Sequence, residues 1–437
     1  METLAIAGGV LALIILFLGL GVWVFSGLLL VSVVGLSLFI DMPLQRIGTI
    51  IGPIMIRSST SWELSAIPMF VWMGEMILRT DISTRLFRGL SPLTFHLPGR
   101  LLHTNIVGSA IFAAISGSSA ATTATVGKIT VPELDKRGYR KALSYGSLAG
   151  AGSLGLLIPP SIIMIVYGVV AEVSIARLFA AGILPGLMIA FFYSAYVMAV
   201  CVIFPHFAPS EGERPTARDV VYGIANLLPI ILLISLVLGA IYSGLATPSE
   251  TAAVGVAVTL LYTVVSGQMR VRIFIESLMA SVHTSCMISA IMIAAAFMST
   301  AMGFLHVPQD IAAAIAVLEL TPYQLIAVLM VLYIILGMFL EGVSMTVMSL
   351  PITLPLVIAA GFDPIWFGIF LILMIELAQI TPPIGFNLFI LQDLTRASIS
   401  RIIVAASPFF LLMCLGVLCI TAYPQIALWL PDYLFNQ

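Results

Sequence analysis

A polytopic, all-α membrane protein is the fold class this sequence predicts, and three observations predict it. Of the 437 residues, 61% are hydrophobic and 9% charged, against about 25% charged in soluble domains. Apolar runs of about 20 residues, the length that crosses a bilayer as a helix, recur along the chain. A lone strand in lipid would leave its backbone groups unpaired, so each run reads as helix.

The first run, 4–20, lacks a basic flank and leads straight into a second. It reads as a retained span, not a cleaved signal. Full crossings fall near 4–20, 22–40, 62–80, 141–171, 178–205, 219–243, 247–266, 284–305, 363–394 and 401–423. The segments 41–60, 83–98 and 270–283 mix apolar with basic or polar residues and read as amphipathic helices at the interface. A plain connecting loop is an equal reading of 41–60. The stretches 100–134 and 322–360 are each long enough for two short helices around a polar or Gly-rich break, and read as re-entrant hairpins.

With both hairpins re-entrant, the chain crosses ten times and its termini share one side. Of the 18 Lys and Arg, only Arg46, Arg57 and Arg177 then fall on that side. The basic side is cytoplasmic, so both termini are expected to be periplasmic. Trp62, Trp366 and Trp429 are assigned to the interfaces, and His103, at a hairpin entrance, to a snorkelling side chain. Cys201, Cys286, Cys414 and Cys419 lie inside apolar runs without a CxxC pair and read as small apolar side chains.

Similar punctuation follows the two unusual stretches. Ser116-Gly117-Ser118-Ser119 precedes Pro159-Pro160-Ser161, and Glu341-Gly342-Val343-Ser344 precedes Thr381-Pro382-Pro383. Ser116 to Pro159 is 43 residues and Gly342 to Pro382 is 40. The first hairpin enters from the cytoplasm and the second from outside, which makes an inverted repeat. The expected division is a scaffold 1–61, a first repeat 62–205 (hairpin 100–134, broken helix 141–171) and a central scaffold 206–283. A second repeat 284–423 (hairpin 322–360, broken helix 363–394) and a periplasmic tail 424–437 complete it.

Pro-Pro inside a span removes two backbone donors and stops the helix. Such breaks are tolerated at membrane depth only against protein or a polar cavity, and paired breaks near the midplane are a recurring transporter site. Freed carbonyls and hydroxyls suit a hard monovalent cation, and helix N-termini beyond the breaks suit an anion. By residue type one cation site uses Ser116 and Ser119 with backbone oxygens around Gly155, Ile158 and Pro160. A second uses Gly337, Gly342, Ala378 and Thr381. Ser118, Thr122, Ser161, Ser344, Thr346 and Asn387 are candidate donors to a substrate carboxylate between the tips. Glu341 and Glu376 are intramembrane charges, assigned to holding a hairpin, setting the cation field or carrying protons.

Other classes fit less well. The five histidines (His96, His103, His206, His283, His306) lack ligand spacing, and no GxSxG or HExxH motif is present, so an enzyme is not expected. The net charge of −2 points to no nucleic-acid partner. A channel would not need paired inverted hairpins with paired broken helices.

An ordered set of motifs carries a family resemblance. It comprises Ala66-Ile67-Pro68, Ile115 to Ala121, Lys136 to Tyr139, Leu157 to Ser161 with Tyr167-Gly168, Gly244 to Glu250, Pro351 and Pro355, Gly361 to Pro364, and Glu376 with Thr381 to Gly385. Across essentially its whole length the chain resembles the large M subunit of tripartite ATP-independent periplasmic (TRAP) transporters, the DctM-like family. The resemblance implies an elevator-type secondary transporter of the bacterial inner membrane. It further implies sodium as the coupling ion at both sites, no other cofactor, and a small organic anion as substrate. The implied partners are a small Q subunit, expected on a separate chain, and a periplasmic substrate-binding P protein. Glu341 departs from the family, whose members often carry Asp there. The alternative within the superfamily is a stand-alone sodium/dicarboxylate or divalent-anion symporter.

Overall fold

A computed structural model describes residues 2–209, 214–317, 320–382 and 385–435, and all regular structure among them is helical. Pro383 and Ile384, part of the second Pro-Pro motif, lie outside the described residues.

The chain opens with α1 (Glu2–Gly19), α2 (Val24–Phe39), α3 (Leu44–Ser59), α4 (Ala66–Leu78) and α5 (Ile82–Thr94). On α5, Ile82, Leu86, Phe87 and Leu90 are buried, the spacing of one apolar stripe. A hairpin of α6 (Leu101–Ser116) and α7 (Ser119–Lys136) follows. Then come α8 (Lys141–Gly152), a 3-10 turn over Ser153–Leu156, α9 (Ile162–Val170) and the long α10 (Ile175–Ile203). The centre holds α11 (Ala217–Tyr242), α12 (Pro248–Val265) and α13 (Val271–Phe304). The remainder runs through α14 (Val307–Val317), α15 (Pro322–Gly337), α16 (Gly342–Ala359), α17 (Pro364–Gln379), α18 (Phe386–Thr395), α19 (Ile399–Ala422) and α20 (Gln425–Phe435).

Local chemistry sets many of these starts. Thr216 with Asp219, Thr247 with Glu250 and Thr321 with Gln324 form reciprocal capping boxes on α11, α12 and α15. Asp363 caps α17 with Pro364 in its first turn. α2, α3 and α4 pack on α13, α12 packs on α4, and α11 on α5. A second group joins α6, α7, α8, α10, α17, α18 and α19.

Among the described residues, six helices are long and apolar enough to cross a bilayer on their own, α16 among them. By length alone α16 would be an ordinary span. Its first residue is instead packed into the protein, where a Cβ on Gly342 would meet Ile163 of α9 at 2.4 Å and Ile375 of α17 at 2.8 Å. α15 and α16, joined through residues 338–341 and packed on each other, are the arms of a hairpin.

The structure departs from the sequence reading in three places. Residues 270–283 are not a separate interfacial helix but the first turns of the 34-residue α13. No Pro or Gly interrupts that helix before Gly303. At 1.5 Å per residue it is about 50 Å long, enough to clear a core of about 30 Å and continue into the interface. The tail adds α20, tied to the start of α10 by Arg177 and Asp432 at 2.8 Å. Trp366 is not interfacial. It is fully buried, stacked between Phe362 and Phe370, and its Nε1 donates to Ile420 O at 2.8 Å. His103 does not snorkel, because its ring is buried between Ser194 Oγ (2.6 Å) and Pro98 O (2.7 Å).

Candidate functional site

The first tip is built by two residues. Gly117 ends α6 in the left-handed region (φ 56°), where a side chain would be strained. Ser118 is extended and caps α7, its Oγ accepting from Ala121 N at 3.3 Å. Ser116 Oγ and Thr122 Oγ1, 2.8 Å apart, stitch the two arms together.

This tip sits inside the first broken helix. Beyond the 3-10 turn, residues 157–161 are irregular. Pro159 and Pro160 cannot supply the N–H groups that the carbonyls of Gly155 and Leu156 would accept in a continuing helix. Gly155 lies against the tip so closely that a Cβ would fall 2.5 Å from both Ser119 N and Ser119 Cα. A Cβ on Gly117 would likewise stand 3.2 Å from Pro160 O.

The second tip differs in charge. Glu341 caps α16, its Oε1 accepting from Ser344 N (3.0 Å) and Ser344 Oγ (3.1 Å). The carboxylate therefore balances the partial positive charge of that helix start. Gly337 abuts the second broken helix, where a Cβ on it would lie 2.1 Å from Ala378 Cβ. Thr381 Oγ1 donates back to Leu377 O at 2.6 Å, and Gly385 N donates to Thr381 O at 2.9 Å.

Counted from the two helix caps, the halves share one spacing. Pro159 lies 41 residues after Ser118, and Pro382 lies 41 after Glu341. The structural equivalent of Ser118 is thus Glu341, one residue before the Gly342 that composition alone pairs with Ser116.

A cavity of about 350 Å³ lies between the tips. Of the sequence-predicted residues, Ser118, Ser119, Gly337, Glu341, Gly342 and Ala378 line it. Its far wall is Thr284, Met287 and Ile288 of α13. Two helix starts border it without a side-chain cap: α9 through Ile162 and Ile163, and α18 through Phe386. Their first N–H groups are available to an anion.

The other predicted residues are placed differently. Ser344 and Thr346 spend their hydroxyls within α16, the latter on Gly342 O at 2.8 Å. Ser116 and Thr122 are engaged with each other. Gly155, Ile158 and Pro160 belong to the first break behind the tip, and Thr381 to the second. Ser161 Oγ and both polar atoms of Asn387 are buried without a hydrogen-bond partner. Glu376 is fully buried and reaches across the molecule. Its Oε2 accepts from Ser119 Oγ and its Oε1 from Leu156 N, each at 2.5 Å.

Sequence reasoning missed Leu156, Gln379 and the α13 wall. Gln379 lines the cavity directly before the second break, and its position beside Ala378 was a usable signal. The α13 residues carry no signal, because that wall is largely apolar. A second cleft of about 850 Å³ lies between α3, the α9–α10 connection, α12 and later turns of α13 near Met292 and Thr300, and holds neither tip.

Comparison with known proteins agrees with this architecture. The sequence model of the family described as "Tripartite ATP-independent periplasmic transporter, DctM component" matches residues 11–426. The chain is 31% identical over 383 residues to the C4-dicarboxylate TRAP transporter large permease protein DctM of Pseudomonas aeruginosa, covering 87% of this chain and 88% of that one. It is 32% identical over 407 residues to the isethionate TRAP transporter permease protein DctMQ of Oleidesulfovibrio alaskensis, covering 90% of this chain and 63% of that longer one. Among solved structures, the Alcanivorax borkumensis YdaH transporter superposes with a TM-score of 0.59 at 14% identity, covering 88% of both chains, a likeness of fold.

Proposed function

Since the chain belongs to the DctM family, the large permease component of TRAP transporters in the bacterial inner membrane, we propose that it imports a small organic anion by a sodium-coupled elevator mechanism. The single observation that carries this reading is the pair of hairpin tips, each set against a broken helix at the same 41-residue spacing, with a cavity between them.

Each tip-and-break pair forms a nest for one sodium ion. Ser116, Ser119 and the carbonyls around Gly155 and Ile158 make the first. Gly337, Gly342, Ala378 and Thr381 make the second. The anion lies in the cavity, held by the uncapped starts of α9 and α18 and by Ser118. Ser161 and Asn387 bring unpartnered polar atoms to the same two breaks. A sulfonate or a carboxylate fits this chemistry equally, since either accepts from backbone N–H groups. The named substrates of the two relatives, a C4-dicarboxylate and isethionate, span both.

The two hairpins and two broken helices move as one body against α13 and the α2, α3 and α4 helices packed on it. The cavity faces α13 near Thr284, and the second cleft opens against later turns of the same helix. Sliding the body along α13 exchanges one opening for the other. Sodium bound in the nests favours substrate binding by linkage. A small Q subunit and a periplasmic binding protein complete the transporter, and both termini are periplasmic.

The test is uptake of labelled succinate or isethionate into proteoliposomes holding this chain with its small subunit, with and without the binding protein. The reading predicts accumulation that needs an inward sodium gradient and the binding protein. Uptake of equal rate in potassium, or without the binding protein, contradicts it.

A further inference from the structure

Glu376 is a buried carboxylate that the substrate path does not use. It lies on α17, in the second half of the chain, yet both of its hydrogen bonds are to the first half. Ser119 belongs to the first tip and Leu156 to the first break, so one side chain clasps the two parts that form the first nest. Both donors are neutral. Among the described residues, no basic side chain forms an ion pair with Glu376. A buried carboxylate left without a counter-charge is strongly unfavourable, so a cation or a proton has to join it.

The place for a cation is adjacent. Leu156 gives its N–H to Glu376, and its carbonyl is one of the two that Pro159 and Pro160 leave without a helical donor. Ser119 gives its hydroxyl hydrogen to Glu376 and keeps its oxygen lone pairs as acceptors. The shared register supplies a second argument. Glu376 stands six residues before Pro382, and the residue six before Pro159 is Ser153. The equivalents of Ser119 and Leu156 are Gly342 and Gln379. The first broken helix therefore brings no matching carboxylate to the second nest, which has Glu341 at its own tip instead. Each nest holds one acidic side chain, brought by a different element.

We infer that Glu376 supplies, from the second half, the negative charge that balances the cation at the first tip, and thereby ties the first nest to α17, the helix that continues into the second. This rests on the sodium-nest reading above. Because Ala378 and Thr381 lie within five residues of Glu376 on the same strand of backbone, occupancy of one nest is felt at the other.

The test is a sodium titration of thermal stability on the purified full chain, with choline replacing sodium at constant ionic strength. Wild type is compared with Glu376→Gln, Glu376→Asp and Ser119→Ala. The inference predicts that Glu376→Gln raises the sodium midpoint about tenfold or more, a change of about 1.4 kcal/mol. Glu376→Asp, which keeps the charge on a shorter arm, should fall between, and Ser119→Ala should move the midpoint less than Glu376→Gln. If Glu376→Gln does not fold, an unmoved midpoint in Glu376→Asp overturns the inference. A wild-type midpoint in Glu376→Gln, or one accompanied by a flattened pH dependence of stability, overturns it in favour of a structural or proton-carrying role. A wild type that ignores sodium overturns the nest reading itself, which separates that failure from this one.

Discussion

Gly155 and Ser119 are in backbone contact across the first hairpin and the first broken helix, with no room for a single methyl group between them. A close-packed interior gives way only at a cost of about 1–3 kcal/mol for such an insertion. Gly155→Ala should therefore push the tip out of the break. The expected outcome is a protein that still inserts in the membrane, is destabilised by about that amount, and loses most of its uptake. Wild-type uptake by Gly155→Ala would show that the contact is incidental.

At the second tip the neighbour is a side chain, so the clash should be reparable. Gly337→Ala places a methyl 2.1 Å from Ala378 Cβ. The double variant Gly337→Ala with Ala378→Gly exchanges the methyl between the two helices. Residues in contact couple by about 0.5–3 kcal/mol, and a double-mutant cycle on unfolding should find a value in that range. Additive effects would separate the second tip from its broken helix.

Asn387 should behave as a binding residue when replaced by an apolar one of similar shape. Both of its polar atoms are buried and unpartnered. Leaving such groups unsatisfied costs about 1–3 kcal/mol, so Asn387→Leu should keep or raise thermal stability. Uptake should fall by about tenfold or more, the loss of about 1.4 kcal/mol of binding. Loss of stability with uptake retained would assign Asn387 to the packing alone.

Glu250 gives a capping prediction. Its Oε2 accepts from Thr247 N and from Thr247 Oγ1, each at 2.8 Å, and Thr247 Oγ1 accepts in turn from Glu250 N at 3.3 Å. Amide exchange in the first turn of α12 reports on this box. Glu250→Gln should exchange faster at neutral pH, and equal exchange in the two proteins would remove the capping box from the account.

The breaks were legible because their chemistry is local. Pro-Pro withdraws two N–H groups, and Gly117 takes a backbone conformation that other residues adopt at a cost, so both announce themselves in the sequence. Their alignment was legible only approximately. Matching Ser116 to Gly342 by composition gives 43 and 40 residues, whereas the helix caps give 41 twice, because a cap is set by where the N–H groups start. The clasp of Glu376 on Ser119 was not legible at all, since 257 residues separate them and nothing local to either marks the pairing. Trp366 misled for a related reason. Its polar N–H looks interfacial until the fold brings Ile420 O within reach.

The most direct test of the moving body is accessibility of the second tip from each side of the membrane. Leu340 lines the cavity, and Leu340→Cys in a background with Cys201, Cys286, Cys414 and Cys419 replaced offers one thiol to a membrane-impermeant reagent. The account predicts labelling from both faces, in right-side-out and inside-out vesicles, with sodium and substrate shifting the two rates in opposite directions. Labelling from one face only, under every condition, would contradict it.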